Sequence, residues 1–304
     1  MVFSITARPQ DIHYSQFEKT RSLINPSLVA NQNQDYEIQI QRRSQWSTVS
    51  IPFNTFSLSF NAKQLYKSLS AGATVLKDAA GDSDFSTSGL ALSFSNSINT
   101  EDNSFSFGFQ MAGYQRSLNY DRLFFLQSEQ LDNTSFSFFD VAIGLSNYKQ
   151  IDENTGFLVG ISSYHLNKPK QSLMLNDNVV LAPKQILHAT YYSKLYSKIN
   201  ISPTLYFSSQ SQDREFVVGS GIDYQIKEGI ALQTGLYSRI KDAIFLKIGI
   251  EKENLELLVS YDINTSSLSE ASNYMGAFEF SIRYGWEIIK ETRKINPEIC
   301  PKYL

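Results

Sequence analysis

Hydrophobic and polar residues alternate one by one along most of this chain, the period of a β-strand whose two faces meet different surroundings. In Ser104 to Ala112, Phe105, Phe107, Phe109 and Met111 fall on one face, and Ser104, Ser106, Gly108, Gln110 and Ala112 on the other. Phe139, Val141, Ile143 and Leu145 oppose Asp140, Ala142, Gly144 and Ser146 in the same way, and so do Ile244, Leu246, Ile248 and Ile250 against Phe245, Lys247, Gly249 and Glu251. The run Ile199, Ile201, Leu205 and Phe207 carries Pro203 on its apolar face. Such runs number about fourteen and last roughly ten residues, the length a tilted strand needs to cross a bilayer. They start near Tyr36, Thr55, Leu69, Ser88, Asn103, Phe136, Gly156, Gln185, Ile199, Phe216, Gly229, Asp242, Asn254 and Ala277. Leu69 to Val75 alternates least.

A soluble β-sandwich alternates too, but its polar face meets water and carries many Lys and Glu. Here that face is mostly Ser, Gly, Ala, Asn, Gln and Tyr with scattered charges, as inside a crowded barrel. Aromatics close several runs, as at Tyr261, Tyr284 and Trp286, where a membrane interface favours them. The connections add an independent criterion, because outer-membrane barrels keep short turns and both termini on the periplasmic side. The short links Tyr196-Ser197-Lys198, Lys227-Glu228 and Lys252-Glu253 fall on one side. The long ones, Asn119 to Ser135, Leu166 to Lys184 and Asn264 to Ser272, fall on the other, with Ile240-Lys241 as a short exception there. The expected fold is therefore all-β: a transmembrane, antiparallel, up-and-down β-barrel of the outer-membrane type with about fourteen strands. Phe105, Phe107, Phe139, Ile143, Ile201, Leu246 and Phe280 are expected to point outward.

Composition agrees with this picture and removes others. Aromatics reach 13% of the 304 residues and charged residues only 19%. No stretch approaches the roughly 18 consecutive apolar residues of a membrane-spanning helix. A net charge of −3 removes the electrostatic case for a nucleic-acid partner. The single cysteine, Cys300, cannot form an internal disulfide or a Cys-rich zinc module. Met1 to Gln10 has neither a basic nor a long apolar region, so a secretory signal would lie upstream or be truncated, the mature chain beginning near Gln10-Asp11. A cytosolic chain with a loose terminus is the plainer reading of those ten residues taken alone.

No catalytic constellation emerges. His13, His165 and His188 have no serine or acid at relay spacing. Phosphate-cradling glycine loops and metal-ligand spacings are absent, so neither cofactor nor metal is expected. Asn264-Thr265-Ser266 fits a glycosylation acceptor, as any Ser-rich loop would. Arg239, Lys247, Glu251, Glu256, Glu279 and Arg283 lie on the polar face and are expected to pair inside a filled barrel or to line a pore. Residues 1–34 are read as an N-terminal segment, a possible signal remnant plus a plug or periplasmic-mouth element whose Ile24, Pro26, Leu28 and Val29 require cover. Residues 35–286 are the barrel. Residues 287–304 are a periplasmic tail in which Ile295, Ile299, Cys300, Pro301 and Tyr303 are candidate partner contacts.

Several blocks resemble the PorP/SprF family of type IX secretion outer-membrane proteins. Asp11-Ile12-His13-Tyr14-Ser15-Gln16 and Asn25-Pro26-Ser27-Leu28-Val29-Ala30 look like the family's D-P-x-x-S-Q and N-P-A-x-x-G. Arg43-Ser44-Gln45-Trp46 is similar to its Y-R-x-Q-W. Tyr261 to Leu268, followed by Gly276-Ala277-Phe278-Glu279, resembles its penultimate strand, last loop and final strand, and Cys300-Pro301-Lys302-Tyr303 its terminal C-P-x-[FY]. The departures are Ile12 for Pro, Ser27 for Ala, Gln32 near the expected Gly, Arg42 for Tyr and Ala277 for a second Gly, which suggests a divergent member. The resemblance implies a non-enzymatic outer-membrane component of type IX secretion and gliding motility, in a Gram-negative bacterium, with periplasmic termini. Its implied partners are outer-membrane lipid, periplasmic ring proteins and secreted adhesins through their C-terminal domains, with no small-molecule substrate. The alternative is an outer-membrane solute channel or hydrophobic-compound transporter, although those are longer and carry a larger hatch than the roughly 34 residues before the first strand here.

Overall fold

A computed structural model describes residues 11–45, 51–80, 85–118, 134–172, 179–266, 269 and 274–288. Fourteen antiparallel strands close into a barrel: β1 (Tyr36–Gln45), β2 (Phe53–Tyr66), β3 (Leu69–Ala80), β4 (Phe85–Asn99), β5 (Asn103–Ser117), β6 (Ser135–Asp152), β7 (Thr155–Tyr164), β8 (Lys184–Tyr196), β9 (Ile199–Gln210), β10 (Asp213–Lys227), β11 (Ile230–Arg239), β12 (Ala243–Lys252), β13 (Leu255–Asn264) and β14 (Met275–Trp286). Each strand pairs with its sequence neighbours, and β14 returns to β1 in register Tyr36 to Trp286 through Gln45 to Ala277. Closure removes the unpaired edges that an open sheet would expose. No helix among the described residues is long and apolar enough to cross a membrane.

All fourteen strands begin within three residues of the positions that the alternation predicts. The differences are in length. β6 has 18 residues and β4, β5 and β10 have 15, because their pairing continues past the apolar belt into polar rows near the long loops. β3 runs on to Ala80, its Asp78 facing inward to accept from Thr55 Oγ1 at 2.6 Å.

The outward face is apolar. Phe105, Phe107, Phe139, Ile143 and Leu246 are exposed, and Ile201 and Phe280 are half-buried on the same parity as exposed Leu205 and Phe278. Near the short turns, Tyr36, Phe60, Tyr284 and Trp286 stack side by side, with ring centroids 5.5 Å apart for Tyr36 and Trp286. This is the amphipathic ring cluster that an interface accommodates. Pro203 takes an outward position in β9, where the ladder to β8 omits it and resumes at Thr204, consistent with a residue that lacks an N–H.

The lumen is occupied by the chain's own start. Residues 11–35 run from the long-loop end to the mouth at the short turns, with one turn of helix (α1, Arg21–Ile24) and a 3-10 turn (Pro26–Ala30). Ile24, Pro26, Leu28 and Val29 are buried there. Ile24 and Leu28, with Phe17, meet inward Tyr164, Ile186, Tyr206, Tyr237 and Phe245 as the apolar centre of the barrel.

Candidate functional site: the lumenal latch

Two walls hold the N-terminal segment in different ways. On the β4–β8 side the contacts are uncharged and depend on close approach. Asn25 Oδ1 accepts from Ser27 N at 3.0 Å and from Ser27 Oγ at 2.7 Å, which closes the 3-10 turn into a compact knuckle. Asn25 Nδ2 donates to the Leu145 and Ile161 carbonyls at 2.9 and 3.3 Å and lies 3.1 Å from His188 Nε2. Ser95 Oγ donates to the Ser27 carbonyl at 2.9 Å. The knuckle rests on three inward glycines of adjacent strands, Gly108, Gly144 and Gly160, and a methyl group at Gly108 would stand 2.1 Å from Ser27 N. Gln110 Nε2 and Tyr164 Oη both donate to the Ser22 carbonyl, at 2.9 and 2.8 Å.

On the β11–β1 side the contacts are ionic and form three levels. Nearest the long loops, Ser15 N and Gln16 N donate to the two carboxylate oxygens of Glu279 at 2.8 and 3.0 Å. Arg43 donates to Glu279 at 3.1 Å, to Asp262 at 2.9 Å and to Ser15 Oγ at 2.7 Å. Gln41 also donates to Glu279, and Arg239 lies 3.5 Å from Asp262 and 2.8 Å from Glu215. Arg43, Asp262 and Glu279 are almost wholly excluded from solvent, where charges persist only when paired and hydrogen-bonded.

At the middle level Lys247 pairs with Glu18, its ammonium 3.9 Å from the centre of the Tyr237 ring. Toward the short turns, Arg283 binds Glu256 at 2.9 Å, Glu251 at 3.2 Å and Glu37 at 3.3 Å, while Lys19 of the segment reaches Glu256 at 2.8 Å. A separate clamp closes the long-loop end of the opposite wall. The His165 ring bridges Asp11 at 2.7 Å and Asp140 at 3.0 Å. Burial opposes its charge, but the two carboxylates prevail and push its pKa up to about 9, so both ring nitrogens carry protons and donate. Burial likewise opposes ionisation of Asp11, and the His165 hydrogen bond and Lys184 hold it down at about 2. His13 is kept neutral, its pKa pushed well below the ordinary value by burial and by the Arg239 and Arg43 guanidiniums.

All six polar-face charges singled out in the sequence face the lumen: Arg239 and Glu279 at the upper level, Lys247 in the middle, and Glu251, Glu256 and Arg283 below. Sequence reasoning missed Arg43, Asp262, Glu37 and the segment's own Ser15, Glu18 and Lys19. Arg43 was accessible through the inward series Glu37, Gln39, Gln41, Arg43. Ser15, Gln16, Arg43, Asp262 and Glu279 come from blocks far apart in the chain and meet at one point. Ile295, Ile299, Cys300, Pro301 and Tyr303 lie outside the described residues; the last described one, Ile288, donates its N–H to Asp35 at 3.1 Å beside the short-turn mouth.

Below the segment a cavity of about 990 Å³ opens among the short turns, between Lys19 and Arg21 on one side and Tyr148, Tyr192, Asp223 and Glu251 on the other. Its lining mixes both signs of charge, unlike the mostly apolar walls of a small-molecule pocket. Among the described residues no group of His, Cys, Asp and Glu could hold a metal ion.

A family model described as type IX secretion system membrane protein PorP/SprF matches residues 6–284. No curated protein matches the chain. Among solved structures, the Ralstonia pickettii toluene transporter TbuX is similar with a TM-score of 0.54 at 10% identity, over 86% of this chain and 92% of that one. The P. putida toluene transporter TodX aligns with a TM-score of 0.52 at 9% identity, over 88% and 94% of the two chains. The CymD monoaromatic hydrocarbon channel gives 0.51 at 8%, over 88% and 92%. At such identities the likeness concerns the barrel fold alone.

Proposed function

The chain belongs to the PorP/SprF family of type IX secretion system membrane proteins, and on that premise we propose that it is a non-enzymatic outer-membrane platform for secretion or surface anchoring of cargo adhesins and for docking of the periplasmic ring. A closed barrel in a family of secretion membrane proteins fits an outer membrane. In this reading the short turns and both termini are periplasmic, residues 1–34, 35–286 and 287–304 act as plug, barrel and tail, and the tail recruits the partner through Ile295, Ile299, Cys300, Pro301 and Tyr303. The observation that carries the proposal is the latch. The lumen's charges pair with residues 11–35 and with one another, which supports a filled body presenting surfaces at its mouths over a conduit for solute.

The test is affinity purification from native membranes with mass spectrometry, comparing the full chain with a deletion from Asn296 onward. The deleted protein is expected to insert, while its yield of periplasmic secretion components falls. Failure to insert would make the tail an assembly signal, and unchanged yield would remove its recruiting role. Sustained conductance of the full chain in planar bilayers, or uptake of an apolar solute, would favour the channel alternative.

A further inference from the structure

Charge is segregated across the barrel wall. The Asp and Glu residues of the strands face the lumen, apart from Asp152 at the β6–β7 turn, whereas the outward charges Arg42, Lys77, Lys149, Arg214, Lys227 and Lys252 are all cations. Lys149, flanked by Asn103 and Phe157, and Arg214, flanked by Ser209, stand alone on the outward face, while Lys227 and Lys252 lie on either side of Ile230 at the short-turn end. Arg42 and Lys77 share one cross-strand row, on either side of Phe56. Two strand spacings put their backbones about 10 Å apart, within reach of one phosphate for two long side chains. Both are exposed, and neither forms an ion pair among the described residues.

The same row continues through Ser88, Gln115 and Ser137, which are hydrogen-bonding and uncharged. One pair further from the long loops, the outward row is Ile40, Leu58, Val75, Leu90, Gly113 and Phe139, without a polar side chain. A free phosphate would need only the cations. A ligand that uses all three features has a phosphate, sugar hydroxyls beside it and acyl chains beneath it.

We propose that the outward row Arg42–Phe56–Lys77–Ser88–Gln115 binds the phosphorylated headgroup of a glycolipid in the leaflet on the long-loop side. The phosphate lies between the guanidinium and the ammonium, the sugar along Ser88 and Gln115, and the acyl chains against Ile40, Val75 and Leu90. The assignment rests on the reading above that the long loops face the cell exterior. Such a contact fixes the barrel's depth and rotation in the leaflet, which a platform that must face a periplasmic assembly requires.

The experiment uses the full chain purified in a zwitterionic detergent and titrated with rough lipopolysaccharide, its enzymatically dephosphorylated form, and phosphatidylglycerol, with bound lipid counted by native mass spectrometry. Intact lipopolysaccharide is expected to bind at least ten-fold more tightly than the dephosphorylated form, a comparison that requires no variant. The double variant Arg42→Gln, Lys77→Gln should lose that preference, and Lys149→Gln, Lys252→Gln should keep it. Equal binding of the two lipopolysaccharide forms to the unaltered chain overturns the site. Phosphatidylglycerol binding as tightly as lipopolysaccharide overturns the glycolipid assignment. Separately, an impermeant maleimide should label Lys77→Cys on intact cells. Absence of label there, with phosphate-dependent binding retained in vitro, overturns the orientation and not the site.

Discussion

The glycine floor under Asn25-Pro26-Ser27 makes a quantitative claim that one side chain can test. A Cβ at Gly108 would stand 2.1 Å from Ser27 N, 2.3 Å from the Pro26 carbonyl carbon and 2.5 Å from Ser27 Cα, all backbone atoms. Ordinary contact begins near 3.4 Å, so the knuckle must retreat by the difference from 2.1 Å, about 1.3 Å, before the clash is relieved. Overpacking costs about 1 to 3 kcal/mol where neighbours can yield. A retreat of that size also stretches the Asn25–Leu145, Ser95–Ser27 and Ser27–Ser146 hydrogen bonds of 2.9, 2.9 and 2.7 Å beyond hydrogen-bonding range. At about 1 kcal/mol each, their loss costs about 3 kcal/mol, so the seated segment is destabilised by about 1 to 3 kcal/mol, up to roughly a hundred-fold in its opening equilibrium. Gly108→Val in detergent, followed by hydrogen exchange of residues 22–30, should show that increase, while the strand amides of β9–β12 keep their protection. Gly113→Ala is the control: it sits five residues further along β5 on the outward face, with no atom within 4 Å of its would-be Cβ. Unchanged exchange in Gly108→Val would refute the close seating of the knuckle.

Arg43→Met leaves Glu279 and Asp262 buried with one distant cation between them, and the loss of about 3 to 5 kcal/mol expected for a broken buried pair should appear as protease sensitivity near Ser15; a shift under about 1 kcal/mol would argue against burial of the network. The His165 clamp has a defined pH window. Its folded pKa of about 9 lies above the ordinary 6.5, so its contribution is complete below pH 6.5 and disappears as pH rises through 9. Asp11, lowered from 3.8 to about 2, contributes above pH 3.8 and loses that contribution as pH falls through 2. The raised histidine is worth about 3 kcal/mol at about 1.4 kcal/mol per pH unit, so the protection of residues 11–17, taken relative to their intrinsic base-catalysed exchange rates, should fall from pH 6.5 to 9 in the unaltered chain, whereas His165→Gln should show protection that does not change with pH. Ile248 faces outward between Thr234 and Val259; Ile248→Lys should cost about 2 to 4 kcal/mol of folding free energy in lipid vesicles if the position lies near the midplane, and a neutral result there would relocate the belt.

Which face of each strand looks inward was legible because alternation is a local property; what each inward residue meets was not. Glu279 and Arg283 follow Ala277 on one face of β14, and the sequence marks all three as lumenal. Nothing within the strand distinguishes Glu279, which receives backbone N–H groups from Ser15 and Gln16 some 260 positions earlier, from Arg283, which closes the lower ionic level. β3 was hardest to read for a related reason. Ala71, Gly72, Ala73 and Thr74 carry little contrast between faces, because the lumen beside Gly72 is filled by the Asn61 side chain of β2, 2.4 Å from its would-be Cβ, and by Val29 at 3.4 Å, and not by a side chain of its own. Small inward residues therefore mark where the segment passes, and large or charged ones where it is gripped. Gly108, Gly144 and Gly160 follow the first rule and Arg43, Lys247 and Arg283 the second. Seen this way, the weak amphipathicity of β3 and the glycines of β5 to β7 are the negative imprint of residues 22–30. The polar knuckle and the strands that receive it have complementary sequences, though at least sixty-eight positions separate Ser27 from Ser95, its nearest hydrogen-bonded wall residue.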